Sequence, residues 1–272
     1  MKLAVSSLAW PRRDDERVAT MLVDAGAAGI ELAPTKVWRD PLAVAPAEIR
    51  AYGAFWRARG LEGVARQALL HGQPELVLFG DPHARRALLA RIDGMAALAE
   101  LLGASALVFG APANRRRGDL SAEAAREIAT AFFRQAGSLC AERGVVVCIE
   151  PNPPEHGCDF VTTLREGVEL VRQVDSPGVR LQLDSAAMTL AGDEPAQLGA
   201  AMPFLRHFHI SEPGLTPTGS GGVDHVAFSR ALAGARYSGW RSLEMKEAGL
   251  DELRRALAHA AACYAGDEHL AA

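Results

Sequence analysis

Val145-Val146-Val147-Cys148-Ile149-Glu150-Pro151-Asn152 is the stretch that decides the fold. Five apolar residues, mostly β-branched, follow a stop at Gly144 and end on an acid. A run without polar alternation suits a strand buried on both faces, the condition of a parallel sheet covered by helices. An acid closing such a strand is out of place in a core. It is in place on the rim of a parallel barrel, where reacting groups collect at the C-terminal strand ends.

The same unit recurs along the chain. Short apolar runs lie at Leu3–Ser7, Gly29–Leu32, Leu61–Arg66, Ala106–Phe109, Val145–Ile149, Val179–Leu183, His207–Ile210 and Trp240–Glu244. Longer Ala/Leu/Arg/Glu segments separate them. Helices are predicted from about Asp15 to Asp24, Pro46 to Arg59, Pro82 to Leu102, from Ser121 onward, and from Asp251 to Tyr264. Pro46 suits a first helical turn, Gly103 a C-terminal cap and Ser121 an N-terminal cap. Eight strand–helix units close a (β/α)8 barrel, or TIM barrel, and the 272 residues are expected to form a single domain, 1–272. The alternative is an open doubly wound sheet. That fold usually has fewer strands, and neither Gly-x-Gly-x-x-Gly after the first strand nor a phosphate-binding Gly-x-x-x-x-Gly-Lys-Ser/Thr occurs here.

Composition narrows the function classes. With 29 Lys and Arg against 33 Asp and Glu, the formal net charge is −4, so no broad basic field exists and nucleic acid is not an expected partner. No run of eighteen apolar residues offers a membrane span. Cys140, Cys148, Cys158 and Cys263 contain no Cys-x-x-Cys pair, and the opening residues Met1–Val5 read as a strand rather than a leader. A reduced cytoplasmic protein is the expectation.

The chemistry lies where polar residues interrupt apolar strands. Glu150, Asp184, His209 and Glu244 stand at or near the C-terminal ends of strands five, six, seven and eight. Neighbouring strands lie about 4.8 Å apart, so four successive rim residues can converge. A single such acid is ordinarily a helix cap or an ion-pair partner, and a single histidine a satisfied core residue. Four on consecutive strands point to one divalent cation, which relieves the repulsion among three carboxylates. The oxygen-rich set favours Mn2+; Mg2+, Co2+, Fe2+ and Zn2+ are also compatible. His207 shares a strand face with His209 and is the alternative histidine.

Further candidates lie at neighbouring strand ends. Glu31, Gln67 and Lys246 are substrate-facing candidates, each otherwise structural. Asn114 and Arg115 would suit a phosphate or carboxylate; the run Arg115–Arg117 otherwise reads as a solvated loop. Glu212, Asp224 and His225 flank the Gly/Pro-rich segment 213–222, expected to lid the site and bring His225 over a substrate, with a capping role for Asp224 equally compatible. Trp10 and Trp38 are candidates for the pocket wall or the core.

These residues resemble the sugar (and sugar phosphate) isomerase/epimerase superfamily of xylose-isomerase-like barrels, which includes ketose 3-epimerases. The resemblance runs over essentially the whole chain. It rests on Ile149-Glu150-Pro151-Asn152, Leu183-Asp184-Ser185, His207–Glu212, Gly222-Val223-Asp224-His225, Ser242–Lys246, Trp10 and Gly29–Thr35. It implies Glu150, Asp184, His209 and Glu244 as metal ligands, with Glu150 and Glu244 doubling as the proton-transfer pair. Two positions depart from the pattern: Ala187 replaces a histidine that contacts substrate oxygen in many members, and His156 stands where ketose 3-epimerases often carry a supporting glutamate.

The constellation supports proton abstraction beside a carbonyl of a small ketose or polyol-derived substrate, giving epimerisation or isomerisation. Loss of a β-hydroxyl would make the same site a dehydratase. A metallo-hydrolase on this fold would need extra histidines from the early strands, where none is offered, and an inactive metal-binding barrel is the remaining alternative. Assembly as a homodimer is compatible with all of these.

Overall fold

The computed structural model describes residues 2–264. Eight parallel strands close on themselves: β1 (Lys2–Ser6), β2 (Gly29–Leu32), β3 (Glu62–Arg66), β4 (Ala106–Phe109), β5 (Val146–Ile149), β6 (Val179–Asp184), β7 (Leu205–Ile210) and β8 (Trp240–Leu243). β8 pairs back to β1, with Lys2 opposite Trp240 and Val5 opposite Leu243, so no sheet edge is left open. This is the (β/α)8 barrel that the strand count predicts.

Strand alternation divides the apolar residues into two sets. One small cluster fills the barrel: Ala4, Val64, Ala65, Ala106 and Cys148, with Val146 and Trp240 packed against it. The larger set, including Val5, Ile30, Leu107, Ile149, Leu181, Leu183, Phe208 and Leu243, belongs to the main core beneath the helices. Trp240 plugs the barrel because Gly29 makes room. A β-carbon at Gly29 would stand 2.7 Å from both Trp240 Cζ3 and Val64 Cγ1.

One irregularity bears on the mouth. The β2–β3 register shifts between Ile30 and Glu31, so Ile30 faces Gly63 but Glu31 faces Ala65. Val64 and Ala65 both join the interior cluster, and the alternation beyond them is inverted. Arg66 therefore turns to the helix side, where its Nη2 would lie 3.1 Å from a β-carbon on Gly63. Gln67, the next residue, comes to the mouth.

Three of the outer helices are Pro46–Arg57, Pro82–Leu102 and Ala122–Glu142. Their ends follow local chemistry. Asp81 and Ser121 cap the second and third through the amides of Ala84 and Ala124, and Gly103 ends the second in the left-handed conformation. Asp224 caps the helix His225–Gly234 through Ala227 N. Among the described residues, no helix is long and apolar enough to cross a membrane.

Candidate metal centre and active site

His209 on β7 and Asp184 on β6 are paired in register, and Glu150 and Glu244 each stand one residue beyond β5 and β8. The imidazole Nδ1 of His209 lies 3.1 Å from Glu244 Oε2, 3.6 Å from Glu150 Oε1 and 3.8 Å from Asp184 Oδ2. His207 points elsewhere: its Nε2 is 3.1 Å from Glu31 Oε2. Of the two histidines on one strand face, His209 is the one that meets the carboxylates.

Each acid is held from behind. Asp184 Oδ1 accepts from Ala187 N at 2.7 Å, capping the short helix Ser185–Ala191, and Oδ2 accepts from Ser211 Oγ at 2.5 Å. Gln182 Nε2 donates to Glu150 Oε1 at 3.1 Å, and Gln67 Nε2 donates to Glu244 Oε1 at 2.7 Å. Gly110 leaves room for the Glu150 carboxylate, since a β-carbon there would stand 2.2 Å from Glu150 Oε2.

The electrostatics describe a site short of positive charge. Burial, reinforced by Glu244 and Asp184, pushes the Glu150 carboxyl up to about 8, although His209 opposes the shift. Asp184 is raised by burial and by Glu244. Burial alone would lower the His209 pKa, but Glu31 and Glu244 together hold it well above the ordinary histidine range.

A divalent cation fits this set. His209 Nδ1 is buried and makes no hydrogen bond, although three carboxylates surround it. Donor atoms of Glu150, Asp184 and His209 all lie within 4.8 Å of one another. Two ligands each about 2.0–2.6 Å from one ion lie at most about 4.0–5.2 Å apart, so this spacing admits a shared ion. Glu244 lies outside that group of three, with its Oε2 3.1 Å from the same His209 Nδ1. Three carboxylates and one nitrogen form a donor set for a hard or borderline divalent ion.

The centre is the floor of a cavity of about 450 Å³. Gln67, Asn114, His156 and Glu212 line it with the four central residues. Asn114 spends its amide on Gln73 O and Leu76 O, 2.8 and 2.9 Å away. Glu212 accepts from Gly219 N, Val223 N and His225 Nε2, which ties down segment 213–222 at its base. The structure places the other candidates away from the cavity. Glu31 is fully buried behind His209. Arg115 is buried and donates from Nη2 to the backbone oxygen of Glu150 at 2.6 Å. His225 is turned away beneath the loop, its Nδ1 3.1 Å from Tyr264 Oη. Lys246 is exposed outside the cavity wall, and only its backbone N–H reaches Leu215 O. Trp10 and Trp38 belong to the core, where their indoles donate to Asp15 and Glu48.

Residues 20–264 match the pattern of the xylose isomerase-like TIM barrel family. The chain belongs to that family. A D-psicose 3-epimerase of Ruminiclostridium cellulolyticum is 31% identical over 108 residues, a similarity covering 39% of this chain and 36% of that enzyme. The solved D-psicose 3-epimerase of Clostridium cellulolyticum H10, with D-tagatose, superposes with a TM-score of 0.78 at 18% identity over 99% of both chains. The IOLI protein with a bound zinc atom gives 0.71 at 18% identity, over 98% of this chain and 96% of its own. This xylose isomerase-like barrel therefore shares its fold with ketose epimerases.

Several further residues shape the site. Gln182 lies two positions before Asp184 on β6, so a period of two already aims it at the barrel axis. Ser211 stands two positions after His209, just beyond β7, and so shares its face. Asn152 and His71 line the cavity from loops, where no periodicity announces them.

Proposed function

We propose that this chain is a divalent-metal-dependent epimerase or isomerase of an uncharged ketose-like sugar, acting as one domain, with Glu150 and Glu244 as acid and base. The observation that carries the reading is His209 Nδ1, buried and without a hydrogen bond, facing Glu150, Asp184 and Glu244 on the cavity floor. Those four residues would hold the ion. When bound, it would polarise a substrate carbonyl and stabilise negative charge on its oxygen. Mn2+ suits the oxygen-rich donors, and the zinc of the IOLI protein shows that a related barrel accepts a borderline ion.

Glu150 and Glu244 reach the cavity from strands separated by β6 and β7, so their carboxylates approach a bound sugar from different sides. One carboxylate takes the proton from the carbon beside the carbonyl, and the other returns it. Return to the opposite face inverts that carbon; return to the neighbouring carbon interconverts ketose and aldose. Gln67 and Gln182 keep the two acids in place.

Lysine and arginine are absent from the described lining of the cavity. A phosphate would find no lysine or arginine there, whereas the hydroxyls of a free sugar need only polar side chains such as His156, His71 and Asn152. The test is incubation of the protein with free ketohexoses and ketopentoses, with and without Mn2+, with products read by NMR. An epimer or aldose formed only with the metal is expected. A product lighter by one water would assign a dehydratase instead, and metal-independent turnover would overturn the reading.

A further inference from the structure

Glu31 lies inside the barrel one layer below the candidate metal centre, without solvent contact. Its Oε2 is 3.0 Å from His209 Nε2 and 3.1 Å from His207 Nε2, and its Oε1 is 3.2 Å from His209 Nε2. A buried carboxylate without partners is costly, and here both partners are imidazoles. The two rings meet edge to face, with centroids 5.2 Å apart and an interplanar angle of 83°. Neither ring can swing without breaking its bond to Glu31.

This arrangement decides which nitrogen of His209 faces the cavity. An ionised carboxylate only accepts hydrogen bonds, so the proton on His209 must sit on Nε2 when the ring is neutral. The other nitrogen, Nδ1, is then a bare lone pair, and it is the atom facing Glu150, Asp184 and Glu244. We propose that Glu31 is a positioning residue, which holds His209 in the Nε2–H tautomer and so presents Nδ1 to a divalent cation, with His207 Nε2 bonded to the same carboxylate oxygen, Oε2.

The inference rests on the metal reading above and deepens it. A ligand histidine whose second nitrogen donates to a carboxylate is a stronger and better oriented donor, and loss of such a partner costs about 10–100-fold in metal affinity. The register shift between Ile30 and Glu31 fits this role, because it lets Glu31 stay in the middle layer while β3 supplies Gln67 to the rim.

The experiment uses the whole chain. In ¹⁵N-histidine-labelled protein loaded with Zn2+, with His209 assigned through a His209→Asn sample, the His209 signals should report a protonated Nε2 and a metal-bound Nδ1. In parallel, Zn2+ affinity by chelator competition should fall about 10–100-fold in Glu31→Gln, while the melting temperature in EDTA reports whether the fold is kept. A metal-bound Nε2, or an unchanged affinity in a folded Glu31→Gln variant, overturns the role of Glu31 and leaves the metal centre standing. No Zn2+-dependent change at His209 overturns the centre itself, and this assignment with it. Should the variant fail to fold, the tautomer read in the unsubstituted protein decides alone.

Discussion

Gln67 Nε2 donates to Glu244 Oε1 at 2.7 Å across the mouth of the barrel, joining the end of β3 to the end of β8. Gln182 makes the matching bond to Glu150 from the neighbouring strand. Each proposed acid–base carboxylate is thus steered by a neutral amide that leaves its charge intact. A hydrogen bond to a charged group contributes about 1.5–3 kcal/mol. Gln67→Leu should therefore lower kcat about 10–100-fold with a smaller change in KM. Steady-state kinetics check this; an unchanged kcat would remove Gln67 from the site.

Gly110 offers a sharper test of position. Its missing β-carbon is the space that Glu150 Oε2 occupies, 2.2 Å from where that atom would stand. In Gly110→Ala the carboxylate must move while the backbone stays, because the clash is with the end of a flexible side chain. A displacement near 1 Å at a reacting group costs on the order of 100-fold in rate. The expected result is a large loss of kcat at a nearly unchanged melting temperature. Full activity would show that Glu150 has no fixed task.

Metal loading should be visible in stability alone. An ion that binds only the folded chain at 100 times its Kd stabilises it by about 2.7 kcal/mol. For a protein of this size each kcal/mol raises the melting temperature by about 2–4 °C, so Mn2+ or Zn2+ against EDTA should give roughly 5–10 °C. Asp184→Asn should erase most of that difference. Equal melting curves with and without metal would argue against the centre.

The cysteines give a pH prediction. Burial pushes the Cys140 and Cys148 thiols up to about 12, and Cys158 is buried with its Sγ donating to Phe160 O. A raised thiol pKa means that the reactive thiolate is scarce at pH 8 and grows only as pH approaches that value. Burial raises the Cys263 thiol as well, but Cys263 is only half-buried and is the one of the four that a reagent can reach. Thiol titration at pH 8 should find one accessible group in the native protein, lost in Cys263→Ser, and four after denaturation. Four rapid thiols in the native state would contradict this packing.

Much of the fold was legible because burial writes itself into composition. Val145–Ile149 can only be a strand covered on both faces, and eight such runs leave few topologies. Glu150, Asp184, His209 and Glu244 were legible for the opposite reason, as charges that an apolar strand would otherwise exclude. Strand periodicity alone leaves His209 and His207 on one face; the contacts of His209 Nδ1 with Glu150, Asp184 and Glu244 separate them. Arg115 and His225 have the chemistry of ligand-binding groups, but their partners, the Glu150 carbonyl and the Glu212 carboxylate, are distant in sequence or lie beyond a loop. Gln67 was legible as a residue just past a strand end, but its bond to Glu244 was not, because the β2–β3 register shift that accompanies it has no mark in the spacing of β3.

The central claim is that Glu150 and Glu244 exchange a proton with the carbon beside a sugar carbonyl. The direct measurement is turnover of a ketose substrate in D₂O, followed by NMR and mass spectrometry, for the parent chain and for Glu150→Gln and Glu244→Gln loaded with metal. Deuterium should enter at the inverted carbon with the parent chain, and each variant should lose about 10²–10⁴-fold in turnover while still holding the ion. Undiminished turnover in both variants would contradict the account.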